Sequence, residues 1–332
     1  MKKTLIALAA LAAVGAASAQ VSLTGLAGLS YEKNASGTKA NTGFGIPDLF
    51  LKATAVEDIG GGTKVTAAVQ WDVGSARNAV SSRDDYSLST VGGFGNLTLR
   101  SIEAGNYAEM ALSGVASLPN GVDSTNAAYK SILAHANVKG MKYTTPVLGG
   151  GFTAALSYSQ YEQNANGSTA ALKDPSLNGY QTSTSLELKY AAGPLMAVYG
   201  RSQYNTSVNA GLVDSAKDDL AVTYDLGVAK FGLGWVQTSA SNPAVNNVTP
   251  TVVAGVSVPF GKVTVGLDYA TKQAALSSND TITYTAVGVQ YDLSKTTNVK
   301  FSAGGFSGIT ALSGTGAPTT DTQYRLALWK AF

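Results

Sequence analysis

The sequence has no cysteine and a single histidine, His135, and beyond residue 19 it nowhere strings together 18 apolar residues. Without cysteine there is no disulfide framework, so the chain must be held by a large core or by a closed hydrogen-bond ladder. One imidazole and no thiol are too few soft ligands for a transition-metal site, and no metal or cofactor is expected. Lacking a long apolar run, the mature chain has no transmembrane helix. If it crosses a membrane it does so as a closed barrel, in which every backbone N–H and C=O is paired. Charge is also scarce, at 13% of residues, with 23 basic against 21 acidic side chains. That balance disfavours a nucleic-acid partner, which calls for a basic excess.

The N-terminus holds the one concentrated apolar segment. Lys2 and Lys3 precede the run from Leu5 to Val14, and small residues end it at Ala17-Ser18-Ala19. This is the pattern of a secretory signal peptide over 1–19, cleaved before Gln20. The two lysines are the whole basic excess, so the mature domain, 20–332, is formally neutral. Its 45% hydrophobic residues, 37 glycines and 16 tyrosines exclude a disordered chain.

Alternation then sets the class. Between Thr63 and Val73, Val65, Ala67, Val69, Trp71 and Val73 fall on one face and Lys64, Thr66, Gln70 and Asp72 on the other. The same period of two recurs at Val21/Leu23/Leu29/Tyr31, Phe152/Ala154/Leu156/Tyr158, Leu220/Val222/Tyr224/Leu226, Val263/Val265/Leu267/Tyr269 and Tyr324/Leu326/Leu328. The opposite faces are polar and many apolar faces end in tyrosine or tryptophan, which fits an outward lipid face with an aromatic girdle better than the core of a soluble sandwich.

The connections give an independent count. Seven are tight and rich in glycine or proline: Asp58–Gly62, Gly92–Gly95, Pro146–Gly151, Ala192–Pro194, Leu226–Val228, Pro259–Gly261 and Leu293–Lys295. Eight long polar stretches alternate with them, near 33–46, 74–82, 102–136, 162–179, 205–217, 239–249, 273–280 and 308–320. Together they predict an all-β fold, a 16-stranded antiparallel transmembrane β-barrel with both termini on the short-turn side. A barrel of that strand number encloses an aqueous channel. The chain stops at Phe332, with Leu328, Leu326 and Tyr324 at alternate positions before it. A terminal aromatic on such a strand resembles the signal read by the barrel-assembly machinery, and it is also what a last strand closing against the first would carry; on either reading 332 is expected as the native end.

Several segments carry a family resemblance: Val21-Ser22-Leu23-Thr24-Gly25, Glu57 to Lys64, Gly93-Phe94-Gly95-Asn96-Leu97-Thr98-Leu99, Lys142-Tyr143-Thr144-Thr145-Pro146 and Val289 to Lys295. In this order and spacing the chain resembles the Gram-negative porins of β-proteobacteria, the neisserial and comamonad type, over its whole mature length. The resemblance implies a homotrimer in the outer membrane, in contact with lipid and lipopolysaccharide, each barrel having its third outer loop folded into the pore. The longest loop, Ser101 to Ala136, occupies that third position and carries Glu103, Glu109 and Asp123. By the same resemblance it narrows the channel opposite a basic wall, onto which Arg83 and Lys142 carry over. Where the family often has arginine on the second strand this chain has Phe50, with Lys52 two residues on and on the same face; Arg100, polar-facing by alternation, supplements the wall.

Fixed charges in a water-filled neck bounded by low-dielectric walls set the local counter-ion concentration. Arg83, Lys142, Lys52 and Arg100 would enrich anions, and Glu103, Glu109 and Asp123 would oppose them, for a mild anion preference on balance. The alternative for each basic residue is that it faces water only because a charge facing lipid costs about 2–4 kcal/mol at mid-membrane. Enzymatic readings find little support. A Ser-His-acid site would have to use His135, expected on the loop surface among Ala134, Ala136 and Asn137. Asp84-Asp85 and Asp218-Asp219 read as solvated rim acids, the alternative being calcium or bridges to lipopolysaccharide. The glycine triplets lack the Lys-Ser/Thr of a phosphate loop. The reading is a general diffusion porin passing small hydrophilic solutes and ions, with a substrate-specific channel as the alternative and a secreted soluble β-protein third.

Overall fold

The structure is a computed structural model and describes residues 20–36, 39–72, 82–119, 132–133, 135–161, 181–206, 215–240, 250–273, 281–308 and 320–332. The expected signal segment and Asp123 lie outside them.

Six strands precede the longest loop: β1 (Gln20–Ser36), β2 (Lys39–Gly45), β3 (Leu49–Gly60), β4 (Thr63–Asp72), β5 (Ser82–Gly92) and β6 (Gly95–Ala104). After it come β7 (Ala136–Thr144), β8 (Phe152–Tyr161), β9 (Gln181–Ala192), β10 (Leu195–Thr206) and β11 (Ser215–Asp225). The sheet is completed by β12 (Lys230–Ala240), β13 (Thr251–Phe260), β14 (Val263–Gln273), β15 (Thr281–Ser294), β16 (Thr297–Ser307) and β17 (Thr320–Ala331). Each pairs antiparallel with its neighbours, and β1 pairs with β17 from Leu26↔Ala331 to Lys33↔Tyr324, so the sheet closes on itself.

Strands β2 and β3 are two halves of one barrel position. Both pair with β1, β3 along Gln20–Ala27 and β2 along Ser30–Ser36. Between them lie Ile46, Pro47 and Asp48; proline has no N–H to give to a ladder, and the strand breaks there. Counted by position, the barrel therefore has the sixteen strands read from the turn spacing. At the seam, Gly25 N–H donates to the Phe332 carbonyl at 2.8 Å and Phe332 N–H returns a bond to Gly25 at 3.1 Å. The terminal phenylalanine thus extends the closing ladder by one more reciprocal pair.

All seven short turns join strands as expected. At Gly60-Gly61-Gly62 the backbone holds positive φ at three consecutive residues (86°, 62° and 74°), which only glycine adopts without strain. The first and third of the long connections are shorter than their polarity suggested. The stretch 33–46 is mostly ladder, since β1 runs to Ser36 and pairs with β2 from Lys39. Likewise β6 continues to Ala104 and β7 begins at Ala136, trimming the third loop at both ends. Polar residues are tolerated there because a strand that rises beyond the bilayer has water on both faces.

The apolar faces point outward. Val21, Leu23 and Leu29 are exposed by 63–65%, and Leu156, Leu233, Tyr158 and Tyr269 stand out from other strands. A soluble protein does not leave so continuous an apolar surface open to water. The buried apolar cluster is small and lies on the other face, between the third loop and β12–β16. It includes Ala108, Ala111, Ala116, Leu118, Ile132, Leu133, Val253, Ile282 and Tyr284. The interior of the barrel is therefore polar except where this loop is seated.

Candidate pore constriction

Residues 105–119 of the third loop lie along the inner wall, and the wall is shaped to receive them. Inward-facing positions on five of the strands from β10 to β15 are glycine: Gly200 on β10, Gly232 and Gly234 on β12, Gly255 on β13, Gly266 on β14 and Gly288 on β15. Each alternates with outward residues such as Phe231, Leu233, Leu267 and Val287. A Cβ at any of them would overlap the loop; at Gly234 it would stand 2.7 Å from Ala108 Cα, and at Gly266 2.8 Å from Val115 Cβ. The glycines form a trough that lets one backbone approach another.

Buried carboxylates fix the loop in that trough. Asp219 on β11, 1% exposed, accepts from Tyr107 N–H at 2.7 Å and from Ala108 N–H at 3.0 Å. Asp268 on β14 accepts from Ser113 N–H at 2.5 Å. Further along, the wall donates to loop carbonyls: Lys300 Nζ to Gly114 at 3.2 Å, Tyr284 O–H to Ala116 at 3.2 Å and Ser302 O–H to Ser117 at 2.6 Å. Thr251 O–H reaches Ile132 on the loop's return at 3.3 Å. An irregular segment inside a barrel must satisfy its backbone somehow, and these side chains take the place of a ladder.

The start of the loop is tied to the basic wall as well. The Tyr107 ring covers Gly200, and its hydroxyl donates to Glu187 on β9. Lys142 Nζ on β7 binds the same Glu187 carboxylate at 2.6 Å. Burial and that carboxylate push the Tyr107 phenol far above the ordinary tyrosine range, so it stays a neutral donor. Lys142 therefore faces the lumen as half of an ion pair with an acid that sequence reasoning did not single out. Lys217 on β11 binds Asn106 Oδ1 at 2.9 Å and lies 3.8 Å from Asp219.

Of the loop acids read as opponents of the basic wall, Glu103 and Glu109 both meet His135, and Glu103 also borders the cavity shared with Arg100 and Lys142. Glu109 accepts from Asn106 N–H at 2.8 Å and binds His135 Nε2 at 2.9 Å, while Glu103 lies 3.5 Å from His135 Nδ1. His135, expected on the loop surface, is instead partly buried between two carboxylates where the loop enters and leaves. Asp218 and Asp219 do not form a rim pair, because alternation sends them to opposite faces. Asp218 points outward, joined by Arg201 at 2.7 Å and by Tyr199 O–H at 2.6 Å, and Asp219 points into the loop.

Of the remaining basic positions, Lys52 stands in register with Gln70 and Thr24, and Phe50 with Asp72, all on the inner face. Arg100 lies beside Gly140 and Ser87 on that face. Arg83 pairs by its backbone with Trp71, and its side chain is outside the described part of the strand. The inner wall from β3 to β9 is thus polar; Arg100 and the Lys142–Glu187 pair sit beside Gly105 and Tyr107 at the start of the loop, and Lys52 lies on the inner face of β3.

Comparison with known proteins agrees with this architecture. The family model of the Gram-negative porins matches residues 4–308. The chain belongs to this family. Its structure is similar to an anion-selective porin from Comamonas acidovorans, with a TM-score of 0.68 and 19% identity over 95% of this chain and 100% of that one. It is also similar to a loop L8 deletion mutant of OmpT, an outer-membrane protein of Vibrio cholerae, with a TM-score of 0.67 and 13% identity over 95% and 100% of the two chains. OmpT in its trimer form gives a TM-score of 0.61 at 13% identity, over 95% and 100%. No curated protein sequence matches the chain. The porin is a multi-pass barrel of the Gram-negative outer membrane and a channel for diffusion.

Proposed function

We propose that residues 20–332, freed of the signal segment 1–19, assemble as a homotrimer of general diffusion pores with a mild preference for anions. The observation that carries this reading is the seating of residues 105–119 on one side of a polar lumen, with Arg100 and Lys142 beside the start of the loop and Lys52 on the inner face of β3. The third loop narrows the channel there. Lys52 and Arg100 set the preference; Lys142 contributes less, because Glu187 balances its charge at 2.6 Å. Glu103 and Glu109 share His135, whose single charge can balance at most one of them, so the loop acids still oppose the anions and keep the preference mild. The comamonad neighbour is named for anion selectivity and the OmpT neighbour for a trimer, and both names support the proposal for this chain. Phe332 serves the barrel-assembly machinery as a sorting residue, and the outward apolar band meets lipid and lipopolysaccharide.

The test is single-channel recording from the refolded mature protein in planar bilayers under a KCl gradient. Triple-step conductance proportional to salt is expected, with a reversal potential on the anion side that moves toward zero in Lys52→Ala and Arg100→Ala. A folded barrel that passes no current would overturn the proposal.

A further inference from the structure

Between the first turn of the third loop and the inner faces of β6–β11 lies a niche of about 250 Å³. Its floor is a cross-strand row read directly from the register: Lys142 opposite Ser157, Ser157 opposite Ser185, Ser185 opposite Ser202, and Ser202 opposite Lys217. Three hydroxyls are thus strung between two lysines, and Ser185 donates to Ser202 at 2.8 Å. One row further out, Arg100, Gly140, Ser159, Ser183 and Tyr204 follow in register.

The polar groups of this niche are not all paired. Lys142 is matched by Glu187, and Lys217 by Asp219 and Asn106. The bordering acids are engaged, Glu103 with His135 and Asp219 with the loop N–H groups. Arg100 makes no salt bridge among the described residues, and its Nε is buried with no acceptor. A buried N–H without an acceptor is costly, and a guanidinium beside several hydroxyls is the donor set that planar or tetrahedral oxyanions satisfy.

We propose that this niche is a binding site for a small oxyanion, a carboxylate or phosphate group, held by Arg100 and the hydroxyls of Ser157, Ser185 and Ser202. The site rests on the reading of the chain as an open aqueous pore. It gives the channel a saturable step for such anions beside ordinary diffusion, because an ion that binds must also leave before the next passes.

The experiment is a titration of the chloride current of the refolded protein with inorganic phosphate at constant ionic strength. Saturable depression of the current is expected. In Arg100→Gln the half-saturating phosphate concentration rises about tenfold, as loss of one charge-assisted contact predicts, and in Ser185→Ala/Ser202→Ala it rises by a smaller factor. Lys230→Gln, which removes a pore-facing charge far from the niche, leaves it unchanged. Chloride current with no phosphate saturation overturns the site while leaving the pore reading intact; absence of any current from a folded barrel overturns the pore reading itself. Equal shifts in Arg100→Gln and Lys230→Gln would assign the effect to the general field and contradict the site. Should Arg100→Gln fail to fold, an unshifted double serine variant is enough to overturn it.

Discussion

From β10 to β16 the inner wall is notched with glycine and set with buried carboxylates, and the third loop fills it; from β3 to β9 it keeps lysine, arginine and serine side chains that reach toward water. The two halves share one ladder and one outward apolar band. They differ only at the inward positions, which in a barrel are free to vary without disturbing either. One half gives up side chains so that a second layer of backbone can dock, and the other keeps them to define what passes. The same carboxylate chemistry serves both: Asp219 and Asp268 hold loop N–H groups, whereas Glu187 holds a lysine of the facing wall together with Tyr107 of the loop.

The difference is most directly broken by filling the trough. Gly232→Leu with Gly255→Leu places side chains where Ala111 and Leu112 now lie. Overpacking of this kind costs about 1–3 kcal/mol per site, and the loop is displaced into the lumen. Single-channel conductance falls sharply while the barrel keeps its heat-resistant mobility on gels. Inward bulk added to the facing wall, as in Ser157→Leu, has a much smaller effect.

A smaller effect follows from cutting the tethers. Asp219→Ala strands two backbone N–H groups and Asp268→Ala one, at about 1–3 kcal/mol each. The mean conductance is nearly kept, but the loop loosens. Open-channel current noise rises, and proteolysis within the third loop accelerates.

On the facing wall the changes are electrostatic. Lys142→Ala leaves Glu187 unbalanced and moves the reversal potential toward cations; Glu187→Gln frees Lys142 and moves it toward anions; the double variant returns close to wild type. Equal shifts of one sign in both single variants would show that the pair does not act as a unit. The smallest effect is expected outside the pore. Arg201→Ala disrupts the outward pair with Asp218 and leaves conductance and selectivity unchanged in the same recordings.

The barrel was legible because its signals are local: alternation at Val65 to Val73 and glycine turns such as Gly60-Gly61-Gly62 depend on neighbours in sequence. The loop's seat was harder to read. Gly232 and Gly234 alternate with Phe231, Leu233 and Trp235, and glycine at a polar position of a strand does signal a close backbone approach. Nothing in the sequence says which backbone approaches. Asp218-Asp219 reads at first sight as one solvated pair, although the period of two already sends its members to opposite faces. Glu187 and the clamp of His135 by Glu103 and Glu109 arise from contacts between residues 26 to 45 apart in the chain, or across the seam between loop and wall, where spacing is silent.

The seating of the loop can be tested without background, because the chain has no cysteine. A Cβ at Gly266 stands 3.1 Å from Ser113 Cβ, within reach of a disulfide after small adjustment. In the variant Ser113→Cys/Gly266→Cys the two thiols are expected to join readily under mild oxidation, with the same single-channel conductance before and after reduction. Thiols that stay free, or a conductance that changes when the bond is reduced, would contradict a loop held against the glycine-notched wall.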